Sequence, residues 1–124
     1  MRRFLSFALA LALVSATSGL ASAQDAALVA AGRDFALKIC SNCHVVAADQ
    51  ASPPLMKPPA PSFSEIAARP QTTEALLRDF LGKPHGEARQ NSRMPAFMLS
   101  DLQVRQVVAY LVSLKPDRER EEKR

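Results

Sequence analysis

The chain has 124 residues, enough for one domain plus a targeting segment and too few for two domains. Its 16 basic and 12 acidic residues leave a formal charge of +4, with no dense basic stripe interleaved with stacking aromatics, which argues against a nucleic-acid partner. With no Trp, one Tyr and six Phe (two of them, Phe4 and Phe7, near the N-terminus), the chain is poorly supplied with large core side chains.

Residues 1–23 read as a secretory signal peptide. Arg2 and Arg3 form a basic start, and Phe4 to Val14 is an apolar run too short to span a bilayer. Ala21-Ser22-Ala23 matches an A-x-A cleavage site, so maturation is expected after Ala23. No other stretch is apolar enough to cross a membrane, and the mature chain is expected to be soluble, without stable membrane insertion. Residues 24–114 form the expected single domain. Within it, Leu28, Gly32, Phe35 and Ile39 recur at helical spacing, and Asp25 is the candidate N-cap of a helix running to about Ile39.

That helix leads directly into Cys40-Ser41-Asn42-Cys43-His44. These five residues hold both cysteines of the chain and one of its two histidines. The pattern C-x-x-C-H is the attachment signature of a c-type haem. On a helical path positions i, i+3 and i+4 share a face. Cys40, Cys43 and His44 can then present two thiols and an imidazole in one direction. Two thiols suit thioether bonds to the haem vinyl groups, and the imidazole beside them can ligate the iron. A thiol–disulfide centre would carry C-x-x-C at a helix N-terminus, whereas here a helix precedes it. A structural zinc site wants four ligands, and the chain offers only Cys40, Cys43, His44 and His85, with no second close pair. A simple i,i+3 disulfide would leave His44 without a role.

Between Ala51 and Pro61 lie five of the nine prolines: Pro53, Pro54, Pro58, Pro59 and Pro61. Proline fixes φ and lacks a donor, so this segment is expected to be an extended loop wrapping a haem edge. Ser62 to Ala68 reads as a short helix stopped by Arg69-Pro70. Thr73 to Leu81 reads as another, capped by Thr73 and ended by Gly82 and Pro84. Gly86 to Arg93 is polar and expected to be loop. Ser100 to Leu114 is the clearest helix, with Ser100 and Gln103 as a capping box and Val104, Val107, Val108, Leu111 and Leu114 as an apolar stripe. Residues 115–124 are almost all charged, and this tail is expected to be disordered.

His44 would leave one axial position of the iron open. The candidates are Met94, Met56, Met98 and His85. Met94 is preferred, because Pro95 restricts it to extended backbone in a loop just ahead of the last helix. A thioether ligand favours Fe(II) and raises the potential. Met56, in the proline loop, is second. Met98 is expected in the core, and His85 as an exposed turn residue.

Taken together these residues resemble the class I cytochromes c, in their small bacterial mono-haem form. The match rests on Cys40 to His44, on Gly32 eight residues before the first cysteine, on Met94-Pro95 and on Ala109-Tyr110-Leu111. Ala36 stands where an aromatic is often found, with Phe35 beside it. The resemblance implies an all-α cytochrome c fold, four or five short helices around one covalent haem c. The terminal helices would cross at Gly32, Tyr110 and Val107. It also implies that Pro61, or Pro59 in its place, accepts the second imidazole N–H of His44. The function implied is a periplasmic one-electron carrier with His44 and Met94 as axial ligands, not an enzyme. Its partners would be redox proteins, a dehydrogenase or reductase as donor and an oxidase as acceptor, and the carrier itself a monomer. The alternatives are a cytochrome subunit of a periplasmic dehydrogenase or oxidase complex, and a five-coordinate haem enzyme or sensor.

Overall fold

The computed structural model describes residues 23–83, 94 and 97–116. Four α-helices fall within them, and no strand: α1 over residues 23–39, α2 over Phe63–Ala67, α3 over Glu74–Gly82 and α4 over Asp101–Ser113. Residues 1–22 of the expected signal segment 1–23, the loop holding His85, Pro95 beside Met94, and residues 117–124 of the charged tail lie outside the described residues.

Local chemistry explains the boundaries. Ser100 Oγ accepts from the Gln103 N–H at 3.3 Å while Gln103 Oε1 accepts from the Ser100 N–H at 2.8 Å, closing the expected capping box of α4. Ser62 and Glu65 make the same reciprocal pair at the start of α2, with the Ser62 N–H donating to Glu65 Oε2 at 2.7 Å. Thr73 Oγ1 caps α3 by accepting from the Leu76 N–H at 3.1 Å. Two boundaries differ from expectation. Asp25 is not an N-cap, because α1 is already helical at Ala23; the run Ala23 to Ala27 is alanine-rich, and alanine extends helices readily. Gly82 does not end α3 through a left-handed turn either, since no glycine among the described residues has positive φ. Gly82 is the last helical residue, and Lys83 turns to extended backbone at φ −107°, ψ 144°. The residue before a proline is driven there by the proline ring.

α4 is the central element, packed by both α2 and α3. Its buried face is Val104, Val107, Val108, Tyr110 and Leu111. These meet Phe63 of α2, Leu77 and Leu81 of α3, and Ala36 of α1 in one core. α1 crosses α4 at Gly32. A Cβ there would sit 1.8 Å from Gln106 O and 3.1 Å from Tyr110 Cβ. The crossing is therefore backbone against backbone, with the Gln106 carbonyl rather than Val107 as the tightest neighbour. The Tyr110 hydroxyl donates to Val46 O at 2.9 Å inside the core. This ties α4 to the loop that follows the cysteine motif.

A second tie holds that loop to α1. The Arg33 guanidinium donates to both carboxylate oxygens of Asp49, each at 2.7 Å. Arg33 holds the Asp49 carboxyl below the usual carboxylate range, through hydrogen bonding first and charge second. A depressed folded value adds stability above the unfolded value, near pH 4, and that stability is lost as pH falls through the folded value. Glu65, lowered by its hydrogen bonds to Ser62, acts in the same direction. Asp49→Asn is thus expected to lower neutral-pH stability slightly, since the pair is exposed, and to leave stability below the folded value unchanged, so that part of the acid limb flattens. Urea melts across pH 2 to 7 read this directly; parallel acid limbs in the two proteins would remove Asp49 from the account.

Candidate functional site

The motif follows directly on the last turn of α1. The Cys40 N–H donates to Ala36 O at 2.8 Å, and the Cys43 and His44 N–H groups both donate to Cys40 O, at 3.1 and 2.9 Å. The helical path continues through the motif, so the two thiols and the imidazole share a face. All three line one cavity of about 340 Å³. Among the described residues, no three His, Cys, Asp or Glu side chains converge on a point that could hold a bare metal ion. Three donors spread along one apolar wall suit a broad flat group and not a zinc ion.

The proline segment runs beside the motif. The Met56 N–H donates to Asn42 O at 3.0 Å, Ala60 to Cys43 O at 2.9 Å, and Phe63 to Val45 O at 2.9 Å, with a parallel bridge between His44 and Ala60. This register brings the Pro61 carbonyl to His44 Nδ1, which donates to it at 2.7 Å. A carbonyl can only accept, so Nδ1 carries the proton and neutral His44 has a free lone pair on Nε2. The imidazole also meets the Phe63 ring edge-on, with centroids 5.6 Å apart. Phe63 in turn packs on Tyr110, at 6.2 Å. His44 is thus oriented by one hydrogen bond and one aromatic wall.

Cys40 and Cys43 form no disulfide. Burial, and secondarily the neighbouring Cys43, pushes the Cys40 thiol up to about 11. Redox-active C-x-x-C thiols work with lowered values. The shift opposes the thiol–disulfide reading.

A second lobe of about 240 Å³ shares Cys40, His44, Pro61 and Met94 with the first. It is walled by Phe35 from α1, Phe63 and Ile66 from α2, Leu77 and Leu81 from α3, and Val107 and Leu111 from α4. The donor set and this continuous apolar cleft fit a haem. Such volumes lie in the range of small-molecule sites.

The sequence profile of the cytochrome c family matches residues 29–115. This chain belongs to the cytochrome c family. It is 36% identical over 104 residues to cytochrome c-552 of Bradyrhizobium diazoefficiens, an alignment covering 84% of this chain and 91% of that protein. No solved structure matches it significantly. The fold is the all-α cytochrome c fold, the cofactor is haem c, and the protein transfers electrons and is not an enzyme.

Within this cytochrome c, the expected site residues fall as follows. Cys40, Cys43, His44, Pro61, Met94 and Met56 all line the first lobe. Met98 does not belong to the core as expected: it is 88% exposed. It is followed by Leu99, which takes the inward position against the core instead. Sequence reasoning missed Arg69 and Thr72, which line the second lobe. Arg69-Pro70 reads in sequence as a helix stop, and nothing local marks Thr72 as buried. Among the described residues no helix is long and apolar enough to cross a membrane.

Proposed function

We propose that this cytochrome c is a periplasmic one-electron carrier with haem attached through Cys40 and Cys43 and with His44 and Met94 as axial ligands. Residues 1–23 would direct export and be removed after Ala23, leaving residues 24–114 as the haem domain and the charged end as a tail. Bound haem supplies an iron that cycles between Fe(III) and Fe(II). The observation that carries the reading is the His44 Nδ1–Pro61 bond at 2.7 Å. It selects the tautomer with Nε2 unprotonated and fixes the ring at the cleft wall, as a ligand's outer partner does.

Met94 is favoured over Met56 by where each is anchored. Met56 is hydrogen-bonded beside Asn42, on the segment that flanks His44. Met94 comes from the segment ahead of α4 and lines both lobes. Only a thioether arriving from another part of the chain can sit across a flat ring from His44. The aliphatic walls of the second lobe would shield a bound haem from water, which would further favour the less charged Fe(II) state. Donor and acceptor would be redox proteins that dock briefly through a small interface. Leu55 and Met98, 79% and 88% exposed and next in sequence to the cleft residues Met56 and Phe97, would offer apolar contact area to such a partner.

The test is optical. Purified exported protein is expected to show a c-type haem spectrum, a red-region methionine–Fe(III) band, and no shift on adding carbon monoxide to the reduced form. Met94→Ala should abolish that band, open the iron to carbon monoxide and lower the potential, with haem still attached. An unchanged spectrum in the variant would return the ligand role to Met56. A carbon monoxide shift in the native protein would instead mean an open iron and a sensor or catalyst.

A further inference from the structure

Five of the ten residues from Ser52 to Pro61 are prolines. None of the five can donate a backbone hydrogen bond. The segment reaches the motif through the N–H groups of Met56 and Ala60, with Phe63 adding a third just beyond it. So sparse a ladder specifies its own register weakly. The Gln50 side chain supplies what the prolines cannot. Its Oε1 accepts from the Val46 N–H at 2.8 Å, and its Nε2 donates to Ser52 O at 2.7 Å. These partners fix the orientation of the amide, since a carbonyl only accepts and an N–H only donates. The Gln50 N–H also donates to Ala47 O at 3.2 Å, closing a tight turn between the two bridged residues.

Val46 is a fixed point. Its side chain is 1% exposed, and its carbonyl accepts from the Tyr110 hydroxyl at 2.9 Å. Both polar backbone groups of Val46 are therefore held by side chains, Gln50 on one side and Tyr110 on the other. Val46 lies two residues after His44, and Ser52 is where the proline segment begins. Near the end of that segment, Pro61 O accepts from His44 Nδ1 at 2.7 Å. We infer that Gln50 is a positioning residue for His44: its amide bridges Val46 to Ser52 and holds the proline segment in the register that keeps the Pro61 carbonyl on Nδ1. The inference rests on the reading of His44 as iron ligand above. Donation from Nδ1 makes an imidazole a more basic ligand. A more basic ligand favours Fe(III), so a loosened register weakens that bond and raises the potential.

The experiment is potentiometry of the intact holoprotein, with deuterium exchange of the His44 ring N–H followed by proton NMR of the reduced form. Gln50→Leu keeps the bulk of the side chain and removes both bonds. It should raise the potential and speed the exchange by about tenfold, in line with losing two hydrogen bonds of ordinary net strength. Gln50→Asn, one methylene shorter, cannot span both partners and should fall between wild type and Gln50→Leu. Thr73→Ala is the control for stability alone, since it removes the cap of α3 and nothing beside the motif. It should lower the melting temperature and leave potential and exchange as in wild type. Wild-type potential and exchange in Gln50→Leu, or changes no larger than those of Thr73→Ala, would overturn the positioning role while the ligand reading stands. If Gln50→Leu yields no holoprotein, Gln50→Asn decides by the same two readouts. A wild-type protein without haem would overturn both readings.

Discussion

Prevented from attaching haem, the chain is expected to lose its cooperative fold. The double variant Cys40→Ser/Cys43→Ser should show weakened helical circular dichroism and no sharp thermal transition. The reason lies in what the core faces. Phe63, Leu77, Leu81, Val107 and Leu111 belong to the hydrophobic core and also wall the cleft. Without a ligand these side chains lose packing on one side. At about 24 cal/mol per Å³ of cavity, the 240 Å³ lobe they wall represents a ceiling of about 6 kcal/mol. Water entering from the mouth lowers that figure, yet it compares with a total stability of about 5–15 kcal/mol for an ordinary domain. The aromatic supply offers no reserve, with no Trp and one Tyr in the chain. A native-like cooperative melt of the haem-free variant would show that the helices close the cleft by themselves.

Gly32→Ala is expected to destabilise the holoprotein by about 3 kcal/mol or more, the upper range for overpacking a tight contact. For a domain of this size that corresponds to a melting temperature lower by roughly 12–24 °C. The added Cβ would fall 1.8 Å from Gln106 O and 2.5 Å from its carbonyl carbon. Both atoms are backbone in the middle of α4, so no rotamer change relieves the clash. The helix must back away, and with it Tyr110, whose hydroxyl is bonded to Val46 O. The strain thus reaches the loop after the motif, and the absorbance of the ferric iron should change along with stability. Gly82→Ala is the control. Nothing lies within 4 Å of a Cβ there, and its backbone is helical. That substitution should be neutral or slightly stabilising, because alanine is the better helix former. Equal melting temperatures for Gly32→Ala and Gly82→Ala would refute the backbone contact.

The residues whose roles are local were readable in the chain alone. Cys40, Cys43 and His44 lie within five positions, and one helical turn is enough to bring them to one face. The caps at Thr73 and Ser100 work through residues three positions away, so their letters suffice. The stripe on α4 repeats at helical period, and its buried positions Val104, Val107, Val108 and Leu111 are those the period selects. What failed locally failed for a stated reason. The Met98 position, between Phe97 and Leu99, has no periodicity to say which neighbour turns inward, and packing turned Leu99 in and Met98 out.

Long-range relations needed the tertiary structure. Pro61 is 17 residues from His44, and only the register of the proline segment against the motif decides that its carbonyl, not that of Pro59, meets Nδ1. Arg33 and Asp49, 16 residues apart, carry no pairing signal in sequence, because any exposed arginine and aspartate look alike until loops place them. Arg69 and Thr72 gain meaning only from the cleft they border, since burial of a hydroxyl is a property of its surroundings and not of its letter. The chain by itself determined the cofactor and the helices, because covalent attachment and helix formation depend on spacings of three and four residues. The tertiary structure decided the tautomer of His44 and the Gly32–Gln106 contact, because each needs two distant segments brought within hydrogen-bonding or van der Waals range.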